Sequence, residues 1–262
     1  REFWKTPYRL GMILAKSCTS ENVMGSSLPM YTLQEWSEQF PWAVAGITYK
    51  GAVSNIFDLR KEDINCDDRM QQIQKETGFN SLVRIPQVHG TNLLVHDSEL
   101  SGYIVLTEGA DGHATCRPGV LLSITVADCV PVYLLDPQSR AVMLLHAGWR
   151  GVAGQIVTKG IELLLERWRS HLEDIVVHLG PAICGDCYEV GPEVFRSLGL
   201  TKPTEPTPVD LRGILTRQAR DLGIKKENIS VSGDCTLCGG RDFFSHRNGD
   251  VGRQVAVIGV RP

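Results

Sequence analysis

The 262-residue sequence has no run of Lys or Arg and no basic stripe along any segment. With 27 basic against 30 acidic residues and a net charge of −3, it lacks the footprint that nucleic acid or an anionic membrane surface selects. No apolar run approaches the roughly 18 residues of a membrane span. The early stretch "GMILA" is too short for the apolar heart of a signal peptide, and no small-residue cleavage pattern follows it. Eight cysteines are too few for a disulfide scaffold in a chain this long. Reduced thiols and a cytoplasmic location are therefore expected. There is no internal repeat, low-complexity tract or convincing linker. These absences exclude nucleic-acid binders, membrane proteins and solenoids, and leave a globular protein acting on small molecules.

What is present is a set of apolar runs rich in Val, Ile and Leu. Strands are expected at 43–50, 119–127, 131–136, 141–147, 174–180, 229–233 and 254–260. Several of these are apolar on both faces, as buried central strands are. Helical periodicity marks 151–170, where Val152, Ile156, Ile161, Leu164 and Leu165 favour one side. A second helix is expected over 210–223, capped by Asp210 and ended by Gly223, and a third over 67–78, ended by Gly78. The proline-containing stretch 201–210 reads as an exposed loop. Strands and helices mix without regular alternation. The expected fold is α+β, a single domain with a large mixed sheet flanked by helices. The chain opens on Arg1; residues 1–29 read as a leader and 30–262 as one catalytic domain.

Chemistry concentrates at strand ends. "ITVADCVPVYLLD" puts Asp128 and Cys129 beside an apolar run, and "LLHAGWRG" ends another on His146. A hairpin turning at "DPQSR" joins the two, so adjacent strands bring Cys129 and His146 together. A neighbouring thiolate and imidazole form either a nucleophile pair or two metal ligands. His89 in "IPQVHGTN" supplies a third candidate. Two His and one Cys suit a borderline-soft ion such as zinc, with the fourth position open to water or substrate. The alternative is three core residues with satisfied hydrogen bonds. The glycines of "AGWRG", with Gly148 and Arg150, make an anion site at a helix start, phosphate being the natural guess. Otherwise they are a plain strand-to-helix turn. Two C-x-x-C pairs, "CGDC" (184–187) and "CTLC" (235–238), read as a four-thiolate zinc site or as unrelated thiols. In "GGRDFFSHRNGDVGR", His246, Arg247 and Arg253 are candidates to meet an anionic ligand.

Taken in order, "QVHG", "TVADCVPV", "HAGWRG", "LGPAICGDCYEVG", "DLRGI" and "CTLCGGRDFFSHRNGDVGR" resemble the YfiH/laccase-domain family over roughly residues 40–262. Its members have been called polyphenol oxidases and purine nucleoside phosphorylases. The resemblance implies a single α/β domain, similar to a toxin-deamidase fold. It implies zinc held by His89, Cys129 and His146, with Asp128, Cys129 and His146 as catalytic residues and Gln87, Gly148, Arg150 and Arg247 at the substrate. It shifts expectation away from a four-cysteine site, which family members do not need. Two departures stand out: Phe57-Asp58-Leu59 replaces a family F-N-L strand, and no Asn-Arg pair follows in the next helix.

The implied activities are phosphorolysis of adenosine, inosine, guanosine and methylthioadenosine, and deamination of adenosine, so the expected partners are a purine nucleoside and phosphate. Asp128 would move a proton or orient the metal shell. The zinc-deaminase signature of H-x-E with P-C-x-x-C is absent. Seven histidines without an H-x-H pair argue against a four-copper laccase. One copper in place of zinc, oxidising phenols, is an alternative. A metal-free Cys129–His146 hydrolase of cell-wall precursors is another. A pure binding module is the weakest reading.

Overall fold

The computed structural model describes residues 28–52, 56–201, 203–240 and 242–262. In chain order these form β1 (Met30–Thr32), α1 (Gln34–Gln39), β2 (Ala43–Thr48), α2 (Cys66–Thr77), β3 (Ser81–Arg84), β4 (Leu93–Val95), β5 (Gly102–Val105) and β6 (Gly112–Thr115). There follow β7 (Val120–Val126), β8 (Val130–Asp136), β9 (Ala141–Ala147), α3 (Trp149–Ala153), α4 (Ile156–Trp168) and β10 (Val176–Leu179). The chain closes with β11 (Glu189–Val190), α5 (Pro192–Ser197), β12 (Thr207–Pro208), α6 (Leu211–Asp221), β13 (Ile229–Val231) and β14 (Gln254–Val260). No helix among the described residues is long and apolar enough to cross a membrane.

The expected large mixed sheet is present twice. One six-stranded sheet runs β1-β2-β14-β7-β3-β5 and the other β13-β10-β8-β9-β6-β4. Each is mixed: β3 lies parallel to β5 and β7, and β10–β13 and β4–β6 are parallel pairs. Inward residues of both sheets, Ile47, Leu122, Ile124 and Ile258 against Tyr133, Leu135, Val142 and Leu144, make the central core. Their alternates face outward. Val132, Leu134, Met143 and Leu145 pack on Ile161 and Leu164 of α4 and Leu215 of α6. Leu82, Leu121 and Val257 pack on Met70 and Ile73 of α2. The result is four layers, helix–sheet–sheet–helix. Both faces of the central strands are covered, so β8, β9 and β14 are buried along their whole length and read as unbroken apolar runs.

Differences from the expected elements have local causes. The helix over 151–170 begins at Trp149 and is broken between α3 and α4, where Gln155 takes the left-handed region at φ 64°. Gly154 is required there, because a Cβ would lie 2.7 Å from the Thr91 methyl. The apolar stripe is nevertheless as read: Val152, Ile156, Ile161 and Leu164 are buried and Leu165 packs against them. Gly78 ends α2 in the left-handed region. Asp210 occupies the N-cap of α6 but makes no side-chain capping bond. The stretch 201–210 is not loop throughout, since Thr207–Pro208 pairs with Glu189–Val190. Leu28 and Pro29, read as the end of a leader, join the fold: Leu28 is buried and the Pro29 carbonyl accepts from the Tyr49 N–H. Residues 1–27 lie outside the described residues.

Candidate metal centre

The β8–β9 hairpin sets the geometry. Its register pairs Val130 with Ala147 and Pro131 with His146, so Cys129, just ahead of β8, meets His146 near the end of β9. His89 arrives from the loop after β3 with a left-handed backbone, φ 57°. One ligand atom from each of His89, Cys129 and His146 lies within 4.8 Å of the others. The two imidazoles meet edge-on, with centroids 4.8 Å apart. Gly148 closes over them: a Cβ there would stand 3.0 Å from the Cys129 sulfur and 3.4 Å from the His89 ring. His146 is buried and His89 exposed, so the set opens to solvent on the His89 side.

Behind the three stands Asp111, fully buried just ahead of β6, which pairs with β9 at Gly112–Leu145. One carboxylate oxygen lies 2.8 Å from His146 Nδ1 and accepts the His89 N–H at 2.9 Å. The other accepts the Gly90 N–H at 2.5 Å and the Val88 N–H at 3.3 Å. Burial opposes the charge on Asp111, but His146 and these N–H groups outweigh it and hold the carboxyl below its ordinary range. With Nδ1 on Asp111, His146 presents Nε2 to the thiol and His89. Burial likewise opposes charge on the pair in front. The mutual attraction of Cys129 and His146 wins, bringing the thiol down to about 6 and the imidazole up to about 9.

The centre floors a cleft of about 630 Å³. Arg60, Lys61, Arg84 and Arg253 bring cationic side chains to its lining and His246 an imidazole, against the single acid Glu62. Exposed Val105 and Val251 give it apolar rim surface.

The residues singled out from sequence fall into distinct places. Asp128 is buried and does not line the cleft; its oxygens accept the Thr236 hydroxyl at 2.6 Å and the Arg247 N–H at 2.7 Å. Its backbone is left-handed, φ 80°, which turns the chain into Cys129. Gln87 lines the cleft, yet its amide is engaged by Thr125 through three hydrogen bonds. Arg150 is exposed on the five-residue α3, stacked over Trp149 at 4.2 Å, and is not part of the cleft lining. Arg247 sits over Tyr188 and donates to the Glu189 carbonyl. Asp58, the departure from F-N-L, braces the backbone: it accepts the Arg60 and Arg253 N–H groups and pairs with the Arg60 side chain.

Sequence reasoning missed Asp111, Arg60 and Lys61. Asp111 stands in "GADGH", which reads as a turn; its signal is an acid just before a short run whose role depends on pairing with β9. The two C-x-x-C pairs, read as a four-thiolate site or as unrelated thiols, are brought together, with the four sulfurs of Cys184, Cys187, Cys235 and Cys238 within 4.8 Å of one another.

Residues 55–261 match the family described as "Multi-copper polyphenol oxidoreductase laccase". The chain is 35% identical to the purine nucleoside phosphorylase YlmD of Geobacillus stearothermophilus, over 85% of this chain and 92% of that one. It is 30% identical to the adenosine deaminase RL5 of an unknown prokaryotic organism, over 67% of this chain and 72% of that one. In fold it is similar to the crystal structure of the Bacillus licheniformis hypothetical protein YfiH, with a TM-score of 0.78 at 24% identity, over 90% of this chain and 98% of that one.

Proposed function

The chain belongs to the multi-copper polyphenol oxidoreductase laccase family, and from that premise we propose that it is a zinc-dependent purine nucleoside phosphorylase, acting on adenosine, inosine, guanosine and methylthioadenosine, that also deaminates adenosine. The reading rests chiefly on the open two-imidazole, one-thiolate set at the floor of a cationic cleft. The donor set fits zinc: two nitrogens and a sulfur within reach of one ion, and a buried carboxylate fixing the tautomer of one imidazole. When bound, zinc supplies Lewis acidity at an open coordination position.

The chain's own groups do the rest. His89, Cys129 and His146 hold the ion, and Asp111 holds His146 and the His89 backbone. Arg60, Lys61, His246 and Arg253 draw phosphate into the cleft, in place of Arg150 and the "AGWRG" turn, to which the sequence pattern pointed. The apolar rim at Val105 and Val251 covers the purine face. Asp128, with both oxygens engaged, orients the turn into Cys129 and does not transfer the proton. Gln87 braces the cleft wall through Thr125. Gly148 gives room for the metal ligands, and Arg247 anchors Asp128 through its backbone.

Incubating the purified protein with adenosine, with and without phosphate, tests this. Adenine appearing only with phosphate is the phosphorylase result, and inosine in both tubes is the deaminase result. If neither product forms, the proposal fails. One observation favours a second reading: the Cys129 thiolate beside a cationic His146 is also a nucleophile pair, suited to a hydrolase of cell-wall precursors. Metal removal separates them, since only the hydrolase survives chelation. Copper in the same three ligands, oxidising phenols, is read out by metal analysis. A multicopper cluster needs more imidazoles than this centre offers, and among the described residues no other group of three or more metal donors contains histidine.

A further inference from the structure

Four of the chain's eight cysteines converge on the far side of Asp128. Cys184 caps and Cys187 ends a single 3-10 turn after β10, and Cys235 and Cys238 bracket a tight turn after β13. β10 and β13 are parallel neighbours, so both loops leave the same end of the sheet, and an isolated bridge joins Ala182 to Cys235. The sulfurs of Cys184 and Cys238 stand 3.8 Å apart. A tetrahedron with metal–sulfur bonds of about 2.3 Å has edges of about 3.8 Å. The backbone is shaped around sulfur as well. The N–H groups of Cys184, Leu237 and Cys238 point at the Cys235 sulfur at 3.2, 3.4 and 3.4 Å. Such donors favour a thiolate over a thiol. The turn closes through Gly239, whose N–H meets the Cys235 carbonyl at 2.9 Å and where a Cβ would lie 2.5 Å from that oxygen.

We propose that Cys184, Cys187, Cys235 and Cys238 form a second metal site, a structural four-thiolate zinc centre that ties the loop after β10 to the loop after β13. Four protein ligands complete a tetrahedron and leave no open position, which makes the site structural. Both tied loops hold Asp128. The Ile183 N–H meets its carbonyl at 3.1 Å, and Thr236, inside the second turn, donates to its carboxylate at 2.6 Å. The zinc therefore fixes the left-handed Asp128 turn that delivers Cys129 to the cleft. The site stands independently of which reaction the cleft performs.

Metal analysis of the full chain tests it. The wild type should hold about two zinc ions per chain, and the triple variant His89→Ala, Cys129→Ser, His146→Ala about one. Cobalt added to that triple variant should give the visible bands and near-ultraviolet charge transfer of a tetrahedral thiolate complex. A strong chelator should then make about four further thiols reactive to a thiol reagent. Cys187→Ser with Cys238→Ser should lose one zinc and the four-thiolate part of the cobalt signal, leaving only the contribution of Cys129. Should that double variant fail to fold, the triple variant still decides the matter. Overturning results are a triple variant without zinc or cobalt–thiolate absorption, or one whose four cysteines pair as disulfides under reducing-buffer purification.

Discussion

At the end of the β8–β9 hairpin two imidazoles and one thiol converge in front of a buried carboxylate and at the floor of a cleft. On the two loops beside it four thiols converge, one of them ringed by backbone N–H groups. Within each set the ligand atoms lie within 4.8 Å of one another. They differ in what positions them. The first takes its ligands from a hairpin register and a loop pinned by Asp111, so its precision comes from the sheet. The second takes its thiols from tight turns, so under our proposal its own metal supplies the rigidity. An open centre needs a scaffold made elsewhere, whereas a closed one makes scaffold.

Breaking each centre in turn separates these roles. Cys129→Ala or His146→Ala should lower adenosine phosphorolysis by on the order of 10³-fold and remove the cleft zinc, read by steady-state kinetics with metal analysis. The thermal midpoint should move little by comparison. Asp111→Asn keeps the ligands and disturbs their aim; it should weaken zinc retention and turnover by roughly 10–100-fold in chelator competition. Cys187→Ser with Cys238→Ser should invert the pattern, with stability as the main loss. A site loaded about 1,000-fold above Kd contributes about 4 kcal/mol by linkage, or roughly 10 °C in Tm for a chain of this size. Calorimetry with and without added zinc checks it.

A buried histidine outside both centres sharpens the contrast further. His178 has Ser230 at Nδ1, and burial and Arg212 push it down to about 4, whereas His146 with Cys129 and Asp111 rises. Below about pH 6.5 the unfolded chain takes up a proton that folded His178 refuses, so stability falls from about pH 6.5 towards 4 and then levels. His178→Gln should remove up to about 3 kcal/mol of that slope, measured as denaturant midpoints across the range.

The sequence revealed the strands that bury both faces, and with them Cys129 and His146, because continuous Val/Ile/Leu runs leave few alternatives. The short strands β3 to β6 were not legible. "GHAT" buries His113 and Thr115, against any hydrophobic pattern, and Gly102–Val105 sits at an edge. Asp111 was hidden for the same reason, since β6 must be recognised before its neighbour has a role. The four cysteines were visible as pairs, but their meeting depends on β10 and β13 being parallel neighbours. Local patterns do not encode that. The break before Gln155 was also invisible, because the apolar stripe runs on across it.

The β8–β9 register has a practical corollary for anyone wishing to instrument this protein. The seven paired rungs of the hairpin run from Val130–Ala147, beside Cys129 and His146, to Asp136–Ala141 at the turn, a distance of about 20 Å along the strands. Chain length added between Pro137 and Gln138, at the surface end of that turn, changes no rung of the ladder. A fluorescent or affinity peptide grafted there would ride on the same hairpin that carries Cys129 and His146 while remaining about 20 Å from them.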